Sequence, residues 1–413
     1  MRILFISDNF PPETNAPATR LYEHATRWVK AGHEVTVITC APNFPEGKVF
    51  PGYRNRWYAV ENWDGIRIVR VKSYITSNEG FLKRTLDYVS FMVSGFFVGL
   101  FQKKPDVIVA TSPQFFAAVG GWALAAVRRK PFIFELRDLW PASIVAVGAM
   151  RESRTIRWLE KLELFLYRRA SRVVAVTHAF KKDLMERGIE GDKIDVVLNG
   201  VDLSRYQPMA ADESLLREHE LQGKFVVGYL GTHGMAHALD KVLEAAEQLK
   251  HRDDIVFIFV GAGAAKTELV ERAKAKGLSN VRFVPRQPKE AMPKYWSLCD
   301  LALIPLRDTP VFESVIPSKM FECMGMGIPV LMSIPEGEGT GILRESGAGV
   351  CVPPEDPVAM AAAIEGLKDN LEQRDELRRQ GLAAAATYSR DHQAEKMLAA
   401  FGIVLKCGNK VKN

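Results

Sequence analysis

The sequence predicts an α/β protein made of two doubly wound units, and three observations support this. Short apolar runs bounded by turn residues alternate with segments of helical period, the pattern of parallel sheets covered by helices. The pattern stops over residues 203–223, a polar stretch without a strand signal, and then begins again. A length of 413 residues also exceeds that of one ordinary domain.

The predicted strands fall into two groups on either side of that linker. The first group is RILFIS, EVTVIT, IRIVRV, DVIVAT, FIFEL, RVVAVT and DVVLN, and the second is FVVGYLG, IVFIFVG, VRFVP, LALIPL, PVLMS and AGVCV. We predict an N-terminal, acceptor-side domain over residues 1–205 and a C-terminal, donor-binding domain over 206–385. The amphipathic tail, 386–413, is predicted to pack on the N-terminal domain. Such folds bind ligands where strands lead into helix N-termini, so we expect the two domains to face each other across a cleft.

Composition excludes some classes of protein. A net charge of +6 among 55 basic and 49 acidic residues is too mild and dispersed for a nucleic-acid grip, although it tolerates an anionic ligand or membrane surface. The five cysteines form no C-x-x-C pair, which is typical of reduced thiols in the cytoplasm. The first apolar run is too short for a secretory signal. We therefore expect a cytoplasmic protein with no nucleic-acid partner.

One segment, LDYVSFMVSGFFVGLF at residues 86–101, is almost uncharged and has basic residues on both sides. It is shorter than the ~20 residues that a membrane-spanning helix needs. Two interpretations remain open. The segment is either a buried helix of the first domain or a helix lying in a membrane interface, with its basic flanks on anionic headgroups. The second would place the protein peripherally on the inner face of the cytoplasmic membrane.

A lysine and a glutamate interrupt the apolar run VIPSKMFECMGMGIPV. Pro317 suits the first position of a helix, and Ser318, Lys319 and Glu322 then share one face. A helix N-terminus beside a lysine suits a diphosphate, and a carboxylate one turn further on can accept hydrogen bonds from ribose hydroxyls. The pattern therefore predicts a nucleoside diphosphate site. The alternative is an exposed Lys319–Glu322 salt bridge of little consequence.

The segments SKMFECMGMGIPV and VVLNGVDLSRYQP, with the opening FPPETNAPATRLYEHATRWVKAGHEVTVIT, resemble family-4 glycosyltransferases, which have the two-domain GT-B fold. The likeness covers nearly the whole chain. Within the family it is strongest to bacterial enzymes of O-antigen and capsule assembly, including the type that transfers N-acetylfucosamine. The resemblance implies retaining transfer of a hexose-type sugar from a nucleotide sugar, usually UDP-linked, to a glycan or lipid-linked glycan. No cofactor or essential metal is implied.

The same resemblance implies roles for residues of the C-terminal domain. Glu322 matches the second glutamate of the family's E-x7-E motif, which holds the ribose, while the first falls at Ser314. The adjacent Glu313 is the candidate to replace it at the donor sugar, and Lys319 is the candidate catalytic cation. The loop GYLGTHGMAH matches the family's donor loop but lacks its usual arginine and lysine. The other predicted donor contacts are Gly231, Thr232, His237, Arg286 and Ser318.

In the N-terminal domain, FELRDLWPAS occupies the place where many family members have a catalytic-site histidine. Asp138 is predicted to hydrogen-bond the donor hexose or the acceptor, with Arg137 on the acceptor side. The alternative is an internal Arg137–Asp138 pair that supports the loop. Asn15, Thr19 and Arg20, in the family's first loop, are predicted to contact the acceptor or the diphosphate.

No D-x-D pair is present in the sequence, so cationic groups are expected to replace a metal at the diphosphate. His233 and His237 have the spacing of a metal pair, but Gly234 between them and the lack of a third ligand argue against zinc. Two other functions remain open. A nucleotide-sugar 2-epimerase can share this architecture without needing an acceptor. A non-catalytic nucleotide-sugar-binding subunit would explain the missing motif glutamate and loop cations.

Overall fold

The computed structural model describes residues 1–44, 46–76, 81–112, 114–139 and 154–410. The chain forms two compact units, Met1–Asn199 with Arg390–Asn413, and Gly200–Ser389. Each is a Rossmann-like α/β unit with a largely parallel sheet, which confirms the predicted fold class. The division lies after Asn199, whereas the sequence pattern placed it after residue 205.

The described part of the first unit has an eight-stranded sheet in the order β3-β4-β2-β1-β5-β6-β7-β8, in which only β3 and β4 pair antiparallel. Its strands are β1 (Arg2–Ile6), β2 (Glu34–Cys40), β3 (Tyr58–Trp63), β4 (Ile66–Val71), β5 (Val107–Thr111), β6 (Phe132–Leu136), β7 (Arg172–Ala175) and β8 (Ile194–Val196). Its helices are Ala16–Lys30, Phe81–Leu100, Phe115–Arg128, Arg154–Arg169, His178–Glu186 and Arg390–Lys410.

The sequence pattern missed β3, the antiparallel edge strand. It is joined to β4 by Asp64 and Gly65, whose φ angles are 48° and 79°. Two successive residues with positive φ make the type of tight turn that matches strand twist in a hairpin, and Asp-Gly is a preferred pair for it. The Asp-Gly pair between YAVENW and IRIVRV was therefore a usable sequence signal.

The second unit has a six-stranded sheet, parallel throughout, in the order β11-β10-β9-β12-β13-β14. Its strands are β9 (Phe225–Leu230), β10 (Ile255–Val260), β11 (Val281–Val284), β12 (Leu301–Pro305), β13 (Val330–Ser333) and β14 (Gly349–Val352). Its helices are Glu213–Glu218, Leu239–Gln248, Lys266–Ala275, Met292–Trp296, Lys319–Met326, Glu338–Ser346, Pro357–Asp369 and Leu371–Ala385.

The C-terminal helix packs on the first unit. The indole N–H of Trp28 donates to the carbonyl of Ala394 at 3.1 Å, and the Phe401 ring meets Trp28 edge to face at 5.3 Å. Met397 and Phe401 are fully buried in the same cluster as β1 and β2. The burial of these apolar side chains thus stabilises the packing of the C-terminal helix on the first sheet.

The helix Phe81–Leu100 has two different faces. Gly99 packs so closely on Leu124 that an added Cβ would lie 2.4 Å from Leu124 Cδ2. The opposite face exposes large apolar side chains: Leu86, Val93, Phe97 and, just past the helix end, Phe101. The helix is therefore buried on one side only. Within the described ranges, no helix combines the length and apolarity needed to span a bilayer.

Candidate active site

Two glycine turns form the carboxyl edge of the second sheet. Gly231 follows β9 with φ 146°, and Gly261 follows β10 with φ 155°. A Cβ on Gly261 would lie 1.8 Å from the carbonyl oxygen of Gly231. Only glycine permits this backbone approach. The turns lie beside the switch point between β9 and β12, from which successive connections run in opposite directions and where such sheets bind ligands.

The side chain of Lys319 reaches the first of these turns. Its Nζ lies 4.0 Å from the centre of the Tyr229 ring, a cation–π contact. A Cβ on Gly231 would lie only 2.5 Å from Nζ, so the lysine occupies the space that this glycine leaves. Burial lowers the pKa of Lys319 to about 8. Among the described residues Lys319 makes no ion pair and burial dominates its pKa, so the alternative of an exposed Lys319–Glu322 salt bridge is wrong.

Thr232 and His237 lie on the same loop as Gly231. The Tyr229 hydroxyl donates to the Thr232 carbonyl at 2.6 Å, and the His237 ring lies 5.8 Å from the Tyr229 ring. Burial, and then the charge of Lys319, lower the pKa of His237 to about 4, so its imidazole is neutral near pH 7. The structure therefore brings Gly231, Thr232, His237 and Lys319 together, as the sequence predicts.

Glu322 lies one turn into the helix Lys319–Met326, held by two donors that sequence reasoning missed. The indole N–H of Trp296 donates to Glu322 Oε2 at 3.1 Å, and the hydroxyl of Tyr206 also hydrogen-bonds this carboxylate. Burial raises the pKa of Glu322. Gly325 allows the backbone of Tyr206 to approach, since a Cβ there would lie 2.7 Å from the Tyr206 carbonyl oxygen. No local spacing relates these residues, because they meet only through folding.

The helix begins slightly later than predicted. Pro317 lies in the preceding turn, where its carbonyl accepts from the Met320 amide at 3.1 Å, and Ser318 is the cap residue. The exposed Ser318 side chain does not cap the helix. The start of this helix therefore has no side-chain cap oxygen on its first amides, and it retains its partial positive charge for a ligand.

Arg307, also missed from sequence, holds the loop that carries His237. Its backbone N–H donates to the Ala236 carbonyl at 2.9 Å, and its Nε donates to the Met235 carbonyl at 3.2 Å. The guanidinium pairs with Asp240 and with Glu355, each at 2.7 Å. An arginine directly after a buried strand, in LALIPLRD, was the available signal.

Within the described part of the chain, the side chains of Glu313 and Arg286 do not contact that cluster. Glu313 is exposed, and its carbonyl accepts from the Glu338 amide at 3.2 Å. Arg286 is exposed just beyond β11, and its side chain makes no hydrogen bond or ion pair with another described residue. The proposed ligand contacts of both remain predictions.

Asn15 and Thr19 lie at the start of the first helix of the N-terminal unit. The Asn15 Oδ1 accepts from the Ala18 amide at 3.0 Å, so Asn15 is the N-cap of the helix Ala16–Lys30. Thr19 is partly exposed one turn later. The structure gives Asn15 a capping role, and the acceptor contacts of Asn15 and Thr19 remain predictions.

The predicted acceptor contact of Arg20 is wrong. The residue is only 1% exposed. Its Nε donates to Glu135 at 3.0 Å, and its other nitrogens donate to the carbonyls of Val197 at 2.9 Å and Leu198 at 2.8 Å. The carbonyls of Val197 and Leu198 are therefore taken by Arg20, and β8 ends at Val196, earlier than the DVVLN pattern suggested. Arg20 therefore has a structural role, since its side chain is buried and each of its nitrogens already donates to an acceptor within the protein.

Arg137 and Asp138 follow β6 directly. The hydroxyl oxygen of Ser112 accepts from the amides of Arg137 at 2.8 Å and Asp138 at 3.3 Å, which fixes the backbone there. Arg137 is partly buried, and burial lowers its pKa to about 10. Among the described residues Arg137 forms no ion pair, so the internal Arg137–Asp138 pair is absent. The rest of FELRDLWPAS, from residue 140, lies outside the described residues.

Comparisons with known proteins identify the families to which the two units are similar. The model for Glycosyltransferase Family 4 matches residues 17–205, and that for Glycosyl transferases group 1 matches 224–370. WcaI of Escherichia coli K12, whose name assigns it to glycosyl transfer in colanic acid biosynthesis, is 28% identical over 88% of this chain and 91% of its own. A D-inositol 3-phosphate glycosyltransferase of Nocardia farcinica is 31% identical over 57% of this chain and 53% of its own.

Solved structures share the fold. HepE of Anabaena, crystallised with UDP, superposes with a TM-score of 0.71 at 17% identity, over 97% of this chain and 100% of its own. Sucrose-phosphate synthase of Thermosynechococcus elongatus gives a TM-score of 0.75 at 15% identity, over 98% and 99%. The chain therefore belongs to the GT-B glycosyltransferases, with a family 4 domain in its first unit and a group 1 domain in its second.

Proposed function

We propose that this protein transfers a hexose-type sugar from a UDP-sugar, with retention of configuration, to a glycan or lipid-linked glycan in surface polysaccharide synthesis of the O-antigen kind. The observation that carries the proposal is the meeting of the Lys319 ammonium with the Gly231 turn, one helical turn from Glu322. The HepE complex with UDP and the colanic acid assignment of WcaI support the donor and the pathway class. An N-acetylfucosamine-type sugar belongs to the donor class proposed.

The diphosphate is the centre of the proposed mechanism. When the bond between the anomeric carbon and the phosphate oxygen breaks, negative charge grows on the departing UDP, and preorganised positive groups stabilise it. Lys319, the N-terminus of its helix and the N–H groups of the glycine turns supply those charges, so the proposal requires no metal or cofactor. The acceptor hydroxyl attacks from the face that UDP leaves and gives its proton to the leaving phosphate.

The other predicted residues complete this proposal. Glu322, oriented by Trp296 and Tyr206, accepts hydrogen bonds from the ribose hydroxyls. Asp138 hydrogen-bonds the transferred hexose or the acceptor. Glu313 contacts the donor sugar, because Ser314 stands where the family motif has its first glutamate.

A donor screen tests the proposal. UDP and UDP-hexoses should raise the melting temperature of the full chain by several degrees at 100 times Kd, because saturation then adds about 2.7 kcal/mol to the free energy of unfolding. GDP- and dTDP-sugars at equal concentration should shift it much less. Stabilisation by GDP or dTDP alone would overturn the choice of uridine.

Product analysis separates the two other functions. A transferase releases UDP only when a glycan acceptor is supplied, whereas a 2-epimerase converts the UDP-sugar without one. A binding subunit would be stabilised by UDP and release none from any donor. We expect UDP to be released when a glycan acceptor is present, and we expect the UDP-sugar to stay unchanged when no acceptor is added.

We also propose peripheral membrane contact through the exposed face of residues 86–101. Phe97 and Phe101 are 56% and 85% exposed, and Lys83, Arg84, Lys103 and Lys104 flank the segment at exposed positions. A surface of this kind binds a membrane in two ways. Its aromatic side chains are buried in the interface, and its cations are attracted to anionic headgroups. Such contact would bring a lipid-linked acceptor to the enzyme.

Replacing Phe97 and Phe101 together with serine should reduce flotation with phosphatidylglycerol vesicles at least tenfold, since each buried aromatic side chain is worth about 1.5–3 kcal/mol. Replacing Val358 and Leu371 with serine is the matched control, because these residues are equally exposed on helices of the second unit. Equal flotation of the two double variants would exclude this surface as the contact.

A further inference from the structure

The helix Arg154–Arg169 of the first unit has an outward face that the roles described above do not use. Its inward face is apolar, with Ile156, Leu159 and Leu166 buried. On the opposite side, residues at positions i, i+4, i+7, i+11 and i+14 lie above one another along the helix. They form a basic stripe, which consists of Arg154, Trp158, Lys161, Phe165 and Arg168.

The positive charge of the basic stripe is not compensated within the described part of the chain. Its three cations are exposed, and none of them forms an ion pair with another described residue. Both carboxylates of the helix lie elsewhere. Glu163 is buried and pairs with Arg187 at 2.6 Å. Glu160 is only partly exposed and lies off the stripe, because residues one or two apart do not share a helix face.

Aromatic side chains alternate with these cations. Trp158 is 59% exposed. Phe165 is partly buried, and the guanidinium of the exposed Arg169 lies 5.5 Å from the centre of its ring. An indole between cations, on a helix whose other face is apolar, is typical of helices that lie in a membrane interface.

The basic stripe lies on the same face of the first sheet as the exposed apolar surface of residues 86–101. The helix Phe115–Arg128 lies between the two. On one side its Trp122 ring meets Phe165 edge to face at 5.1 Å. On the other side a Cβ on Gly120 would lie 3.1 Å from Met92 Cγ. Side chains of all three helices belong to one hydrophobic cluster, so their outward faces form a continuous surface.

An anionic bilayer matches this continuous surface better than a nucleic acid does. A nucleic acid would neutralise the cations of the stripe but would leave the neighbouring Phe97 and Phe101 in water. A bilayer that contains anionic lipids accommodates both parts, because its headgroups attract cations and its interface takes up aromatic side chains.

We propose that the basic stripe is a second membrane contact of the first unit, which binds the headgroups of anionic lipids. Trp158 enters the interface between headgroups and acyl chains. The inference extends the contact proposed for residues 86–101, and it rests on that proposal for the side of the unit that faces the bilayer. The two contacts differ in chemistry. Apolar insertion does not distinguish lipid charge, whereas the basic stripe selects membranes that carry negative charge.

The test replaces Arg154, Lys161 and Arg168 together with glutamine in the full chain. Flotation is measured with phosphatidylcholine vesicles that contain phosphatidylglycerol and with vesicles of phosphatidylcholine alone. On the anionic vesicles this charge variant should bind on the order of 100-fold more weakly than the wild type, because each basic residue near such a surface contributes about fivefold. On neutral vesicles the two proteins should bind equally. The melting temperature should not change, since no ion pair is lost.

The matched control replaces Arg217, Lys274 and Arg378 with glutamine. These residues are of the same types and occupy exposed helical positions in the second unit. The control should float with anionic vesicles as the wild type does. Equal flotation of the two triple variants would overturn the basic stripe as a lipid contact.

Tryptophan fluorescence tests the position of the indole. Anionic vesicles that contain brominated phosphatidylcholine should quench the wild-type protein, and Trp158→Phe should remove the larger part of that quenching. The other six tryptophans of the chain stay in place and report the background. Quenching of Trp158→Phe equal to that of the wild type would contradict insertion at this helix.

The outcomes separate this inference from the proposals on which it builds. If Phe97→Ser with Phe101→Ser leaves flotation unchanged while the charge variant loses it, the contact through residues 86–101 is wrong and the basic stripe stands. Sugar transfer to a soluble acceptor should be equal for the charge variant and the wild type, so a failure of the transferase proposal appears in a different measurement. Binding of a duplex oligonucleotide through the stripe, without binding of vesicles, would overturn the lipid as its partner.

Discussion

Lys319→Met should slow sugar transfer by about 10²–10³-fold, the usual effect of removing one preorganised group from developing negative charge. Methionine keeps an apolar stem against Tyr229 and the Gly231 turn, so packing is largely retained. The affinity for the UDP-sugar should fall much less, because the ammonium matters most as the bond to the diphosphate breaks. Steady-state kcat and KM, together with the Kd for UDP, measure the two effects separately.

Lys274→Met, at an exposed position of the helix Lys266–Ala275, is the matched control and should leave both constants unchanged. A loss of affinity as large as the loss of turnover would contradict the assignment of Lys319 to the transition state. It would indicate uniform binding of donor and transition state.

The pH dependence provides a second check on the same residue. Because the pKa of Lys319 is about 8 in the free protein, kcat/KM should fall as the pH rises through 8. Lys319→Arg should remove that limb, since arginine stays protonated. The unfolded chain holds this proton more tightly than the folded one, so stability should rise between pH 8 and 10.5. Identical pH profiles for the wild type and Lys319→Arg would contradict the role of the ammonium.

Glu322→Ala should weaken UDP binding by at least about 100-fold, because hydrogen bonds to a charged group contribute about 1.5–3 kcal/mol each and the ribose would lose two. The variant should also melt earlier, since the Trp296 N–H and the Tyr206 hydroxyl lose their acceptor. Calorimetric titration with UDP and thermal unfolding measure the two consequences.

Glu322→Gln separates binding from stability. The amide oxygen can still accept from Trp296, so most of the melting temperature should return while UDP affinity stays below that of the wild type. The wild-type protein should bind 2′-deoxy-UDP more weakly than UDP, and Glu322→Ala should bind them equally. Unchanged affinity of Glu322→Ala for UDP would remove the ribose assignment.

The site was only partly predictable. Ser318, Lys319 and Glu322 could be predicted as one patch because helical periodicity is local, so a short run of sequence is enough to place residues at the start of one helix. Trp296 and Tyr206 carry no such signal, since they meet Glu322 from distant parts of the chain. Arg20 shows the reverse error. Its position next to a loop in the sequence suggested a ligand contact, whereas in the folded protein its side chain is buried and forms an ion pair with Glu135.

The sequence by itself determined the two α/β units and the helix that presents Lys319 and Glu322, because hydrophobic period and turn chemistry act over a few residues. Only the tertiary structure decided that Lys319 fills the space above Gly231, that the Trp296 indole reaches Glu322 and that Arg20 is internal. These relations depend on which strands become neighbours in a sheet. That order is fixed by the burial of whole faces, which no short segment encodes.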